Sequence, residues 1–397
     1  MLEYVNRRSS NCYKWDSEQA SGNLPLWVAD MDFKAAPAII RAMQERLNHG
    51  VFGYSIIPND YYTAVSSWFS RRHDWHGIKR EQLICTIGVV PAISAILRAL
   101  SDKKKAKSDE PLRVITFTPA YNCFFSCISN IGCELIECRL IAKKKHTITP
   151  AGREYVGEHF EVDWQKLEQQ AAIADVFLLC NPHNPTARVW TKDELTRIAR
   201  ICHKNNLFVV SDEIHCEFCF PEHQYTPFAT VAADNQFCIC TSASKAFNIA
   251  GLQCANIYVP EADARFAIDR AINIHEVCDL NPFGIVAAIA AYNESEQWID
   301  ELNGQVFQNW LYLLEFIATN MPELSLSLME GTYLAWLNIK PLGRRAEQFC
   351  ADLAEHEHVL INPSEMYGAT DYVRINLATS PDNIRQAAEA LKAEAVR

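Results

Sequence analysis

The sequence predicts an α/β protein: a large domain with a mostly parallel central sheet flanked by helices, and a smaller α+β domain beside it. Three observations carry this. Apolar strand-length runs alternate with helical stretches from about residue 83 to 245. Polar residues collect just after the strand ends, the edge where open parallel sheets bind ligands. From about residue 286 the pattern changes to long helices followed by separated strands. With 397 residues, 49% of them hydrophobic, the chain can bury two cores. The expected division puts residues 50–285 in the large domain and 1–49 with 286–397 in the small one.

Composition excludes several classes. The net charge of -11 argues against nucleic acid and anionic membrane as partners. Met1 to Arg8 is charged and holds no apolar run of a secretory signal. No apolar stretch approaches the ~20 residues of a membrane span, so the cytoplasm is the simplest location. The 15 cysteines are odd in number and scattered, and read as free buried thiols. Cys216 and Cys219, with His215 and His223 nearby, are metal-ligand types. In an extended segment 216 and 219 face opposite sides, so no metal is expected.

The elements follow in order. Leu26 to Phe33 is apolar but holds Asp30 and Asp32, and reads as a strand with capping carboxylates. Pro37 suits the first turn of a helix. Phe52 to Ser55 reads as a loop, and Tyr61 to Arg72 returns to helical spacing with Trp68 and Phe69 inward. Leu83 to Ile87 is a short strand. Gly88, Val89, Val90 and Pro91 then open a helix over Ile93 to Leu100, presenting free backbone N–H groups. Such a turn suits phosphate, though many α/β proteins carry one without a ligand. Lys103 to Glu110 is a solvated charged loop. Arg113 to Phe117 and Gly132 to Cys138 are strands, and 139–161 reads as an extension or a hairpin.

Asp175 to Cys180 is a buried strand that ends in two Asn-Pro steps, at Asn181-Pro182 and Asn184-Pro185, forcing a rigid turn. Thr191 and Glu194 form a capping box for a helix to about Asn205. Leu207 to Ser211 is the next strand, ending at Asp212-Glu213-Ile214-His215. Gln236 to Cys240 leads into Thr241-Ser242-Ala243-Ser244-Lys245. A buried lysine is costly unless its amine is neutral, paired or covalently used. Condensation with an aldehyde is one such use; most lysines are simply solvated. Helices at Ile285 to Tyr292 and Trp298 to Thr319 precede strands at Gly331 to Asn338 and Tyr372 to Leu377, with a helix at 345–356 between them and one at the C-terminus.

Asn184-Pro185-Thr186, Ser211-Asp212-Glu213-Ile214-His215, Ser242-Ala243-Ser244-Lys245 and Val373-Arg374-Ile375-Asn376 are each weak signals. In this order and at these separations, across nearly the whole chain, they resemble the aspartate-aminotransferase-like enzymes of fold type I, which use pyridoxal 5'-phosphate (PLP). Trp27 to Phe33, Phe247 to Gln253 and Gly331 to Trp336 make the chain most similar to the cystathionine β-lyase branch, the MalY/PatB C–S lyases.

The resemblance implies roles. Lys245 would bond PLP and move the substrate Cα proton. Asp212 would pair with the ring nitrogen, Asn184 and His215 would reach the ring oxygen, and Tyr121 would stack on the ring. The backbone of Gly88, Val89 and Val90, with Ser242 and Ser244, would hold the phosphate. Tyr54 would reach it from a second subunit of a homodimer. Arg374 would clamp the substrate carboxylate, with Tyr54 and Asn184 nearby. Each residue also has a plainer reading: turn former, core aromatic or surface charge. Two positions depart from the pattern. Aminotransferases of this fold usually carry an arginine where Gln253 stands, which favours the lyase branch. Ala187 replaces a glycine, so a positive φ there is strained. The implied reaction is α,β-elimination of cystathionine or related cysteine S-conjugates; an aminotransferase and a regulatory protein on the same scaffold are the alternatives.

Overall fold

The computed structural model describes residues 2–232, 234–274 and 279–397. Its centre is a seven-stranded sheet. From one edge the strands are Leu83–Thr86, Ala255–Tyr258, Gln236–Thr241, Phe208–Asp212, Val176–Cys180, Arg113–Thr118 and Glu134–Arg139. Neighbours pair in parallel except Ala255–Tyr258, which runs antiparallel to both of its partners. That strand was not anticipated from the sequence.

Strand periodicity builds two cores from one run of apolar residues. Val176, Leu178 and Cys180 join the core under the helices Val89–Lys105 and Ala262–Asn273, while Phe177 and Leu179 join the core on the opposite face. A strand covered on both faces carries no polar alternation. Every residue of Val176–Cys180 and Phe208–Asp212 is buried. The strand ends therefore deliver their next residues into the protein rather than to its surface.

A second, four-stranded antiparallel sheet is built from Ser325–Leu326, Leu334–Asn338, Tyr372–Asn376 and Asn362–Pro363. Residues 139–161 form the expected hairpin, Ile141–Ile148 against Glu154–Glu161. Leu24–Pro25 pairs in parallel with Val359–Leu360, tying the N-terminal segment to the C-terminal part of the chain.

The stretch Leu26 to Phe33 corrects one expectation: beyond Pro25 it forms no ladder strand. Its carbonyls are taken by side chains from distant elements, another way to satisfy buried backbone. Asn376 binds the carbonyls of Val28 and Asp30, and Asn248 those of Met31 and Phe33. Asp32 is fully buried and does not cap a helix; it accepts from Lys14 Nζ at 2.8 Å and Trp15 Nε1 at 2.7 Å. Arg7 holds Asp30 at 2.8 Å. Within this strap, Ala29 lies against Lys245, one of the residues that follow the strand ends of the large sheet.

Among the described residues no helix is long and apolar enough to cross a membrane. The 14 described cysteines are all free thiols; Cys278 lies outside the described residues.

Candidate active site

A cavity of about 200 Å³ opens at the strand ends under the strap, walled by Ala29, the Gly88–Pro91 turn, Tyr121, Cys180, Asn184, Asp212, Ile214, His215, Ser244, Lys245 and Ala250. The topology explains the gathering. Asn184, Asp212 and Lys245 follow three adjacent strands, and Tyr121 follows the next. Gly88 sits between the edge strand and the helix Val89–Lys105. It is extended, with φ 169°, and offers no side-chain cap to the 17-residue helix, whose first residues Val89 and Val90 line the cavity; among the described residues no side chain caps their N–H groups.

Lys245 lies in the short helix Ala243–Ala246. Its Nζ donates to the Ala29 carbonyl at 2.6 Å, which also accepts from the Tyr333 hydroxyl at 3.1 Å. Burial pulls the amine's pKa down and the positive charge of Arg374 adds to it, against Asp30 and Asp212. A lysine so placed is closer to the neutral, nucleophilic form than a solvated one. Asp212 carries one close donor, the Ile214 N–H, at 3.2 Å. Burial pushes its carboxyl up to about 7. His215 goes the other way: burial, then the charges of Lys245 and Arg374, bring it down to about 3. The ring is neutral at physiological pH, and its Nδ1 is buried without a partner. Burial also pushes the Tyr121 hydroxyl well above its ordinary value.

Arg374 stands behind Asn184. Its Nη1 donates to Asn184 Oδ1 at 3.3 Å and Nη2 to the Trp27 carbonyl at 2.9 Å, and the guanidinium lies 4.6 Å from the Tyr367 ring centroid. Its Nε is buried without a partner. An arginine with an open donor beside a cavity is ready for a planar anion.

The structure thus brings together Lys245, Asp212, Asn184, His215, Tyr121, Ser244 and the Gly88–Val90 backbone, with Arg374 at their edge. Two expected residues are placed elsewhere. Ser242 caps the short helix: its hydroxyl donates to the Cys254 carbonyl at 2.7 Å and accepts from Ser244 N at 3.0 Å. In this structure its proton goes to Cys254, and its side chain is not part of the cavity wall. Tyr54 is fully exposed and off the cavity wall. Gln253 is also exposed. Ala187 keeps the turn despite its Cβ, with φ 62°. Ala29, Ile214 and Cys180 were not anticipated as cavity wall. Ala29 acts through its carbonyl, which carries no residue-type signal.

A larger cavity of about 630 Å³ lies elsewhere, against Arg72, His73, Cys216, Glu217 and Cys219. Its size does not make it the reactive site: its walls include no lysine and no strand-end cluster. Burial pushes the Glu217 carboxyl up, but His73, Arg72 and Trp68 outweigh this and hold it at about 2. That carboxylate is engaged by Trp68, Arg72 and His73 at 2.7 Å each. The group of potential ligands here is His73, Cys216 and Glu217, not the Cys216–Cys219 pair.

The family model "Aminotransferase class I and II" matches residues 23–391. The chain belongs to this family. Within it, the chain is 30% identical to cystathionine beta-lyase PatB of Bacillus subtilis, over 97% of this chain and 98% of that one. It is 32% identical to protein MalY of Escherichia coli, over 94% and 92%. Among solved structures, cystalysin from Treponema denticola, which contains a pyridoxal 5'-phosphate cofactor, superposes with a TM-score of 0.89 at 29% identity, covering 99% of this chain and 98% of that one. The α/β architecture and the aspartate-aminotransferase-like fold expected from the sequence are both borne out.

Proposed function

We propose that this chain is a PLP-dependent carbon–sulfur β-lyase. It cleaves cystathionine and related cysteine S-conjugates to a thiol (homocysteine from cystathionine), pyruvate and ammonia. The observation that carries this is the convergence of Lys245, Asp212, Asn184, His215 and Tyr121 on one cavity at the amino end of the helix Val89–Lys105. The full-length likeness to cystathionine β-lyases supports it.

The residues fit PLP on their own terms. The cavity holds a lysine with a depressed pKa, a buried carboxylate with a single close donor, an orphaned imidazole nitrogen and an open helix end. When bound, PLP supplies an electron-accepting ring and an aldehyde carbon. The chain supplies the rest. The Lys245 amine removes the substrate Cα proton and returns it where needed. Asp212 holds a proton against the ring nitrogen, and Asn184 and His215 take the ring oxygen. Tyr121 covers a ring face. The N–H groups of Val89 and Val90, with Ser244, take the phosphate. Arg374 orients the substrate through its α-carboxylate, using its open Nε. The strap over the cavity limits water.

The finer assignments belong to the same proposal. The protein is a homodimer whose second copy contributes Tyr54, supported by the exposed run Val51, Phe52, Tyr54 and Ile56. Residues 50–285 form the large domain and 1–49 with 286–397 the small one. The free thiols suit the cytoplasm.

The test is a visible spectrum of the purified, PLP-loaded protein before and after L-cystathionine, with pyruvate and free thiol assayed in the same tube. A band of lysine-bound PLP together with both products is expected. The band with keto-acid-dependent amino transfer and no pyruvate would replace the lyase by an aminotransferase; no band at all would remove Lys245 from its role.

A further inference from the structure

The strand end that carries Asp212 carries a second buried carboxylate, Glu213, which is not part of the cavity wall. Its Oε1 accepts from Ser211 Oγ at 2.7 Å, Asn181 Nδ2 at 3.2 Å and Phe228 N at 3.0 Å. Its Oε2 accepts from the Tyr225 hydroxyl. The donors come from different segments. Ser211 is on the strand Phe208–Asp212, Asn181 opens the turn that leads to Asn184, and Tyr225 and Phe228 sit on the following loop. Asn181 N also donates to the Asp212 carbonyl at 2.9 Å. A filler of the same volume would pack as well without needing four partners, and apolar replacement of buried ionic groups is often neutral or stabilising. The Glu213 carboxylate itself is answered at both oxygens, although Asn181 Oδ1 beside it lacks a partner, and a buried carboxylate held from several segments fixes their geometry.

We propose that Glu213 is a positioning residue for the cofactor site: its carboxylate staples the turn bearing Asn184 to the strand end bearing Asp212 and sets a negative charge beside Asp212. This rests on the PLP reading above and goes beyond it, because Glu213 touches neither the cavity nor any reacting atom. The electrostatic part follows from what faces the pair. Asp212 is faced by Lys245, Tyr121 and the thiols of Cys127, Cys180 and Cys240. Glu213 is faced by Tyr225, Cys216 and Cys240. Burial pushes all of these thiols and both tyrosines up, so they stay uncharged near neutral pH. Burial raises the Glu213 carboxyl to about 6, opposed by its bonds from Tyr225, Ser211, Phe228 and Asn181, so it is charged above that pH; there the ionic neighbours of Asp212 are Lys245, which favours its charged form, and Glu213, which favours its protonated form.

The experiment compares wild type, Glu213→Gln and Tyr225→Phe. PLP affinity is measured by absorbance titration from pH 5 to 9, alongside thermal unfolding of the PLP-free and PLP-loaded forms. Gln keeps the shape, and the Tyr225 hydroxyl can turn to accept from its amide. In Glu213→Gln the pH midpoint of PLP affinity moves down by about one unit and affinity at pH 8 falls several-fold. Tyr225→Phe removes a donor that holds the Glu213 carboxyl down, so that carboxyl rises further; its unfolding temperature falls, and its midpoint moves in the same direction as in Glu213→Gln but by less. A Glu213→Gln protein with the wild-type midpoint and affinity, whatever its unfolding temperature, overturns the inference and leaves Glu213 a structural group. Absence of PLP binding by wild type overturns the cofactor reading itself, and this inference with it.

Discussion

Replacing Asp212 by Asn separates what this residue does for the fold from what it does for the cofactor. Burial raises the Asp212 carboxyl from 3.8 to about 7, with Glu213 adding and the Ile214 N–H and Lys245 opposing. In the PLP-free protein the folded state therefore binds more protons than the unfolded chain between those two values. The group's contribution to stability is fully present below about pH 4 and is lost as pH rises through about 7. The gap, about 7 minus 3.8, is roughly three pH units; at ~1.4 kcal/mol per unit that is at most ~4 kcal/mol. Relaxation of the site would leave on the order of 2 kcal/mol. Asn has no charge to bury. PLP-free Asp212→Asn is thus expected to unfold several degrees higher than PLP-free wild type at pH 8, and to match it near pH 4. The same variant loses PLP affinity, read by absorbance titration. A stability difference that does not grow with pH, or an Asn variant that holds PLP as tightly as wild type, would refute the reasoning.

Further outcomes follow from the same geometry. Lys245→Ala is expected to abolish both the lysine-bound PLP band and pyruvate release, while circular dichroism of the protein is retained. Arg374→Lys keeps the charge but loses the planar fork; KM for cystathionine should rise by about tenfold or more with a smaller change in kcat. Burial lowers His183 to about 4 and His215 to about 3 from 6.5, so both are neutral in the fold. The unfolded chain takes up protons below pH ~6.5 and the folded chain does not. Their contribution is present above that pH and lost as pH falls through 4 and then 3; His215→Gln should flatten the acid limb of a urea-unfolding series on PLP-free protein. A methyl at Gly331 would overlap the Phe218 carbonyl and come within 2.7 Å of Val189 Cγ2, both tightly held. Gly331→Ala should cost ~1–3 kcal/mol, seen as a lower unfolding temperature.

Much of this architecture is legible in the chain because buried parallel strands announce themselves. Val176–Cys180 and Phe208–Asp212 are apolar without alternation, and each is followed at once by polar residues. The capping box at Thr191 and Glu194 is local chemistry and was found as local chemistry. The strand Ala255–Tyr258 is as short as Leu83–Thr86 but has Asn256 inside it, so it shows no unbroken apolar run. The strap was misread for a different reason. Trp27 to Phe33 has strand-like composition, but besides nearby Arg7 and Lys14 its carbonyls are taken by Asn248, Asn362, Arg374 and Asn376, which are over 200 residues away. Only tertiary structure decides whether a carbonyl meets a ladder or a side chain. Ser242 shows the limit at finer scale: a serine beside the key lysine suits phosphate by type, and its actual bond to Cys254 depends on how the next loop folds back.

The deeper limit concerns charge. Lys14 and Lys245 are both drawn under the strap, and sequence context alone does not tell them apart. Lys14 is fully buried and fully answered, by Asp32 at 2.8 Å and the Asp30 carbonyl at 3.0 Å. Removing either partner would strand a charge, which marks a structural pair. Lys245 faces a cavity and has a carbonyl, not a carboxylate, at its amine. Asp212 has a single close donor, His215 an orphaned nitrogen and Arg374 an open Nε. Lys14 and Glu217 meet oppositely charged partners at hydrogen-bond distance, whereas Lys245, Asp212 and His215 on the cavity wall, with Arg374 beside Asn184, keep bonding capacity that a ligand can use. What separates the two lysines is therefore the state of their partners, and that difference exists only once the chain has folded.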